Sequence, residues 1–228
     1  MDMFSQPHLF TIGLFSVSES LALSLILTLV LTGLSLLFTH RLSLKPGPLQ
    51  SAMEGVVGAI ENAIAEVLPQ YTQQVLPFIA TLWVFLVFAN LVGLIPGLES
   101  PTRDLSVTAA LAILVFFSVH WFGIKSQGLK NYLRHYLTPN PMLLPFHITS
   151  EITRTVALAI RLFGNMMSLE IAALLVLMVA GFLAPIPLLM LHIIEALVQA
   201  YIFGMLALVY VAGSIQAQLI KQQRSEHV

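Results

Sequence analysis

The sequence contains no cysteine. Disulfides and thiolate metal sites are therefore excluded, and the redox compartment is left open. Charge is scarce as well. Asp, Glu, Lys and Arg make up 9% of the 228 residues, against about 25% in an ordinary soluble domain. The 10 basic and 11 acidic residues leave a net charge of −1, so the basic surplus that nucleic-acid binding calls for is missing. The N-terminal stretch holds Asp2 but no Lys or Arg, and so lacks the basic segment of a cleavable signal peptide. There is no internal repeat and no low-complexity tract. The expectation is one integral membrane domain over residues 1–228.

What is present is apolar: 57% of residues are hydrophobic, with a mean hydropathy of +0.90. Apolar runs at 21–38, 75–95, 106–124, 146–181 and 188–218 are long enough to cross a bilayer. The predicted fold is an all-α polytopic membrane protein of about five membrane helices. Within 146–218 the only turn signal is the stretch 181–187, with Gly181, Pro185 and Pro187. Two helices of roughly 30 residues are about 45 Å long. They outrun a hydrocarbon core of about 30 Å and should form a long, strongly tilted hairpin. Between the first two spans, Leu49, Met53, Val56, Val57, Ile60, Ile64, Val67 and Leu68 recur at helical spacing. Gln50, Glu54, Glu61, Asn62 and Glu66 fall largely on another face. Residues 49–68 thus read as an amphipathic helix lying on the membrane surface or packed on the protein's own loops.

Basic residues set the orientation. Arg41 and Lys45 follow the first span, Lys125, Lys130 and Arg134 the third, and Lys221 and Arg224 the fifth. The opposite side carries Asp2, Glu19, Glu99 and Asp104, with Arg103 as its one basic residue. The positive-inside rule then puts the N-terminus outside and the C-terminus in the cytoplasm.

Arg161 lies within the fourth apolar run, where a guanidinium cannot shed its proton. Such a charge costs about 2.5–3.5 kcal/mol on insertion scales and marks an ion or substrate pathway, unless it is a structural arginine paired with a carboxylate or carbonyl. Glu151, Arg154, Arg161 and Asn165 follow at spacings that make one polar stripe. Glu170 lies about 13 Å beyond Arg161 on roughly the opposite face. On the last span His192, Glu195 and Gln199 share a face. Carboxylates, a histidine and an arginine at graded depths suit proton relay. His192 changes charge near neutral pH, burial lifts a carboxylate toward that range, and Arg161 does neither, which makes it a gate. A metal site built on His192 and Glu195 with His147 or Glu170 is the weaker alternative, because no HExxH-type motif is present.

The run Arg161-Leu-Phe-Gly-Asn165-Met resembles subunit a of the rotary F-type ATP synthases of bacteria. The likeness extends to Leu191-His192 through Gln199-Ala-Tyr-Ile-Phe203, to Phe88-Ala-Asn90 through Pro96-Gly97, to Asp104 through Thr108, and to the surface helix at 46–67. It covers nearly the whole chain, and the two long-helix motifs are highly specific. The resemblance implies an ion-translocating stator subunit in the bacterial inner membrane, with no catalytic site or cofactor of its own. It implies c-ring subunits, b-type stator subunits and the rest of the complex as partners. It makes Arg161 the arginine that faces the c-ring carboxylates between two offset half-channels. Glu170 and His192 then line the outer half-channel, and Gln199 and Asn165 lie beside the arginine. Two positions depart from the pattern. His147 stands where many relatives have an acid, with Glu151 one turn later as its replacement. Glu195 is an additional acid, which raises sodium as the coupling ion in place of the proton. Two other readings compete. In one the chain is a self-contained secondary transporter using Arg161 to hold an anionic substrate. The absence of a repeat and the odd number of spans weigh against it. In the other it is a purely structural membrane scaffold, which leaves the graded polar series unexplained.

Overall fold

The computed structural model describes residues 8–12, 15–40, 47–95, 98–128, 144–180 and 185–226. The pair Pro96-Gly97 expected to end the second span, the basic residues Arg41, Lys45, Lys130 and Arg134, and positions 181–184 of the expected turn signal lie outside the described residues.

Among the described residues six α-helices carry the architecture, and five of them are long and apolar enough to cross a membrane. The expected all-α polytopic body is thus borne out. The chain opens with an antiparallel hairpin that the sequence reading did not foresee. Strand β1, His8–Ile12, pairs with β2, Phe15–Ser18. Helix α1, Glu19–Thr39, starts directly after it. The Ser18 hydroxyl accepts from the Leu21 amide and Glu19 lies in the first turn, two features that suit a helix N-terminus. None of its apolar stretch is buried. Its hydroxyls are satisfied locally: Thr28 and Thr32 each donate to the carbonyl four residues back, at 2.7 Å. That is how such groups survive where no water is available.

Helix α2, Pro48–Val67, divides the two expectations for the amphipathic segment between its halves. Its C-terminal half is packed, with Ile60 and Ile64 buried and Gln73 donating to Glu61 at 2.6 Å. Its N-terminal half leaves Leu49, Met53, Val56 and Val57 exposed. Helix α3, Thr72–Val92, ends three residues short of the expected span. The amides of Leu94 and Ile95 bond three residues back, a tightened turn fitting for residues that run into Pro96. A 3₁₀ turn, Pro101–Arg103, leads to Asp104, whose carboxylate accepts from the Ser106 amide at 2.9 Å and caps α4, Leu105–Gln127. That helix closes on Gly128 at φ +82°, a conformation reserved in practice for glycine.

Helices α5, Leu144–Ala180, and α6, Pro185–Glu226, have 37 and 42 residues. At 1.5 Å per residue they reach about 55 and 63 Å. The first matches the expected 146–181 to within two residues at each end, and the second runs beyond the expected 188–218 at both. In the first turns of α5, Thr149 and Thr153 fold their hydroxyls onto carbonyls one turn back.

The core is the seam of α6 against α3, α4 and α5. Ala196, Ala200, Gly204 and Ala207 are buried on one side of α6, and such small residues let helix backbones approach closely in a membrane. Val75, Ile79, Leu82, Trp83 and Leu86 of α3 fill the other side, with Ala112, Val115 and Val119 of α4 and Leu158 and Leu162 of α5. Trp83 stacks on Tyr201 at 5.8 Å and donates its indole N–H to the Tyr201 carbonyl at 3.3 Å.

Candidate functional site

The polar residues of α5 do not share one neighbour. Glu151 turns toward α4, its Oε2 lying 3.4 Å from Nε2 of His120. Arg154 turns toward α6, its guanidinium carbon 5.6 Å from the Tyr210 ring centre, a cation–π distance. Asn165 also meets α6, where Nδ2 donates to Oε1 of Gln199 at 2.7 Å. Arg161 lies between these contacts and is exposed. Among the described residues it has no hydrogen-bond or ion-pair partner. Elsewhere on the two long helices Val156, Ile160, Ile194, Val198 and Tyr201 are also exposed. The stripe predicted from spacing is thus one face of the helix, divided among two neighbouring helices and the open side.

On α6, His192 and Gln199 are 5% and 2% exposed, while Glu195 is half-buried. Nε2 of His192 and Nε2 of Gln199 are buried with no hydrogen-bond partner among the described residues. A buried polar nitrogen left unpaired costs about 1–3 kcal/mol. The two lie on one face of α6. Glu170 belongs to α5, but its side chain is not among the described ones, so its predicted pairing with His192 lies outside the described residues. No group of three or more histidines or acids close enough to hold a metal occurs among the described residues.

Sequence reasoning missed the framework that supports the face of His192. Asn90 of α3 donates to the Ala196 carbonyl at 3.1 Å and accepts from the Thr102 hydroxyl at 2.8 Å. Ser100 donates to the Ala89 carbonyl at 2.9 Å and lies 2.7 Å from the Thr102 hydroxyl. Asn90, Ser100 and Thr102 are all buried. This network clamps the connection after α3 onto α6, one turn from His192. Asn90→Ala should lower stability by about 1–3 kcal/mol, because it removes a member of a buried network. Thermal unfolding in detergent would measure it, and amide exchange at Ser100–Asp104 should speed up alongside.

His120 was also missed. Its signal was slight: one imidazole within an apolar run, with no polar partner at helical spacing on its own helix.

Comparison with known proteins agrees over most of the chain. A model of the family described as "ATP synthase A chain" matches residues 21–212. The chain is 61% identical over 215 residues to ATP synthase subunit a 1 of Hahella chejuensis, covering 94% of this chain and 92% of that protein. It is 63% identical over 209 residues to ATP synthase subunit a 2 of Pelobacter propionicus, covering 92% of each. Identity to ATP synthase subunit a of Legionella pneumophila strain Philadelphia 1 is 54% over 215 residues, covering 94% of each chain.

Proposed function

This chain belongs to the ATP synthase A chain family, and from that premise we propose that it conducts ions past Arg161 to turn a ring of carboxylate-bearing c subunits. Membership makes it an integral membrane component of an ATP synthase complex. The finer reading concerns how it works there.

The observation that carries it is the setting of Arg161: a permanent cation exposed on α5 with no internal partner among the described residues, one turn from the Asn165–Gln199 bond. A charge so placed calls for an anionic partner brought to it from outside the chain. A ring carboxylate passing in its deprotonated form meets that need and is released once it takes up a cation. The chain itself then performs no ATP chemistry. It holds the stationary side of the contact, with b-type subunits as the remaining stator. Two water-accessible paths reach the arginine from opposite sides. The outer one runs by Glu170, His192 and Glu195, and the inner one by Glu151. Lys125, near the same end of the bundle as Glu151, supports reading that inner side as cytoplasmic.

The test is ATP-driven ion uptake by the reconstituted complex. Uptake should depend on this subunit, and its response to a protonophore or to sodium identifies the ion. Movement of an anionic solute by the isolated chain, without ATP or the ring, would favour the transporter reading instead.

Glu170 and His192 should behave as a unit on the outer path. Glu170→Gln and His192→Ala should each slow ATP-driven pumping, and the double variant should be little slower than the worse single one. Groups serving one step are non-additive in this way. Effects that multiply would mean two separate steps.

A further inference from the structure

His120 sits near the end of α4 that carries Lys125, facing the first turns of α5. Its Nδ1 is 2.8 Å from the carbonyl oxygen of Phe116. A carbonyl only accepts, so Nδ1 carries a hydrogen and the tautomer is set. In the neutral ring Nε2 then presents a lone pair, and 3.4 Å away it meets Oε2 of Glu151. An imidazole lone pair and a carboxylate oxygen repel unless a proton lies between them, on the nitrogen or on the oxygen. The two side chains are 27% and 23% exposed, which allows water to reach them without fully hydrating them. The ring packs on Phe116 at 4.4 Å. On the neighbouring helix Ser214 donates to the Val119 carbonyl at 3.1 Å, fixing α6 beside this part of α4.

We propose that His120 and Glu151 form a one-proton dyad in which His120 is itself a relay residue on the inner path to Arg161. This rests on the inner path running by Glu151. When loaded, the pair holds one transferable proton, on Nε2 or Oε2. Release breaks that N–H or O–H bond, forms a new O–H bond on the next acceptor, and leaves a carboxylate facing a neutral imidazole. Uptake of one proton from the other side restores the start. Spacing on a single helix could not reveal the pair, because its members lie on different helices.

The other ionisable groups nearby in the helical register are Lys125 on α4, His147 and Arg154 on α5, and Tyr210 on α6, the last two already engaged with each other. Residues 20–39 of α1 and 72–92 of α3, also packed on this bundle, contain no ionisable residue.

The rival role is a helix clip, and His120→Gln separates the two. Glutamine can still donate to the Glu151 carboxylate but cannot carry a proton. ATP-driven proton pumping by membrane vesicles holding the whole complex is measured per assembled complex, between about pH 6 and 8, where histidine titrates. The rate should fall by an order of magnitude or more, the scale on which positioned proton-transfer groups act. The pH profile should lose one ionisation, and thermal stability should be unchanged. The exchange variant H120E/E151H keeps the dyad with its members reversed and should recover most of the rate. It also decides the matter if His120→Gln fails to assemble. Wild-type pumping by His120→Gln across that pH range, or an assembled exchange variant that does not pump, would overturn the dyad. Glu151→Gln distinguishes the premise. Normal pumping there sinks the inner path through Glu151, whereas impaired Glu151→Gln beside normal His120→Gln sinks the dyad alone.

Discussion

Arg161→Ala should bring ATP-driven pumping and ion-driven ATP synthesis below about 1% of the wild-type rate, a loss of roughly 2.7 kcal/mol or more at 1.36 kcal/mol per decade. The protein should still fold. Arg161 is exposed and belongs to no internal bond among the described residues. Removing it also removes a charge that is expensive to keep at the depth of a membrane, so detergent stability should hold or rise. Loss of activity with unchanged or improved stability is the pattern of a residue retained for work and not for structure. Arg161→Lys should fail almost as badly. Lysine keeps a charge but loses the planar fork, and when desolvated it can give up its proton. Passive ion leak through the alanine variant is expected too, if, as proposed, the charge is the barrier between the two paths. Coupled synthesis near the normal rate in an assembled Arg161→Ala complex would remove the arginine from the mechanism.

Gly204→Ala should damage the fold through one added methyl. A Cβ at Gly204 would stand 1.7 Å from Nε1 and 2.0 Å from Cδ1 of Trp83. No rotation of a methyl relieves such an overlap. The indole must leave, and with it go its stack on Tyr201 and its bond to the Tyr201 carbonyl. Trp83 is 7% exposed and wedged into the α3–α6 seam, so its displacement spreads along both helices. Overpacking usually costs about 1–3 kcal/mol, and the added loss of the ring contacts puts this case at the upper end. Thermal unfolding in detergent and the amount of assembled complex should both fall. Gly213→Ala is the control. A Cβ there meets nothing within 4 Å, and alanine is the better helix former by about 1 kcal/mol. Equal stability of the two variants would mean that the α3–α6 contact is looser than the atomic overlap requires.

These residues show how far a linear reading reaches. The five spans were legible because each is an apolar run with turn residues or charges at its ends, and the cost of burying backbone in lipid leaves a helix as the only local solution. Their ends were less legible. The last helix runs on past its apolar part to Glu226 through polar residues that carry no hydropathic signal. Candidate residues on one helix could be grouped, since Arg154, Arg161 and Asn165 share a face by spacing alone. Their partners could not be read, because a face is wide enough to serve two neighbours. Tyr210 and Gln199 both belong to α6, yet His120 lies on α4. The clamp built on Asn90, Ser100 and Thr102 was hidden for a related reason. Ser100 and Thr102 look like ordinary polar punctuation between spans, and Asn90 like a lone amide within one, until the connection folds back and joins them.

The exposed apolar side chains of α5 and α6 bear on friction if, as proposed, a ring turns against them. A surface that another body slides over must not hold it at any one position for long. Hydrogen bonds are directional, so every extra polar pair across such a contact would add a notch of about 1 kcal/mol at a particular angle. Val156, Ile160, Ile194 and Val198 offer dispersion contacts alone. Each of these is worth only about 0.1–0.2 kcal/mol per atom pair and has little directionality. As one set of methyl contacts is lost another is gained, and the energy along the path stays nearly level. The neighbouring amides of Asn165 and Gln199 are bonded to each other, which keeps them from catching what passes. Under the proposed function the deepest detent in each step is then the guanidinium, and the charge state of the passing group decides whether it holds or lets go.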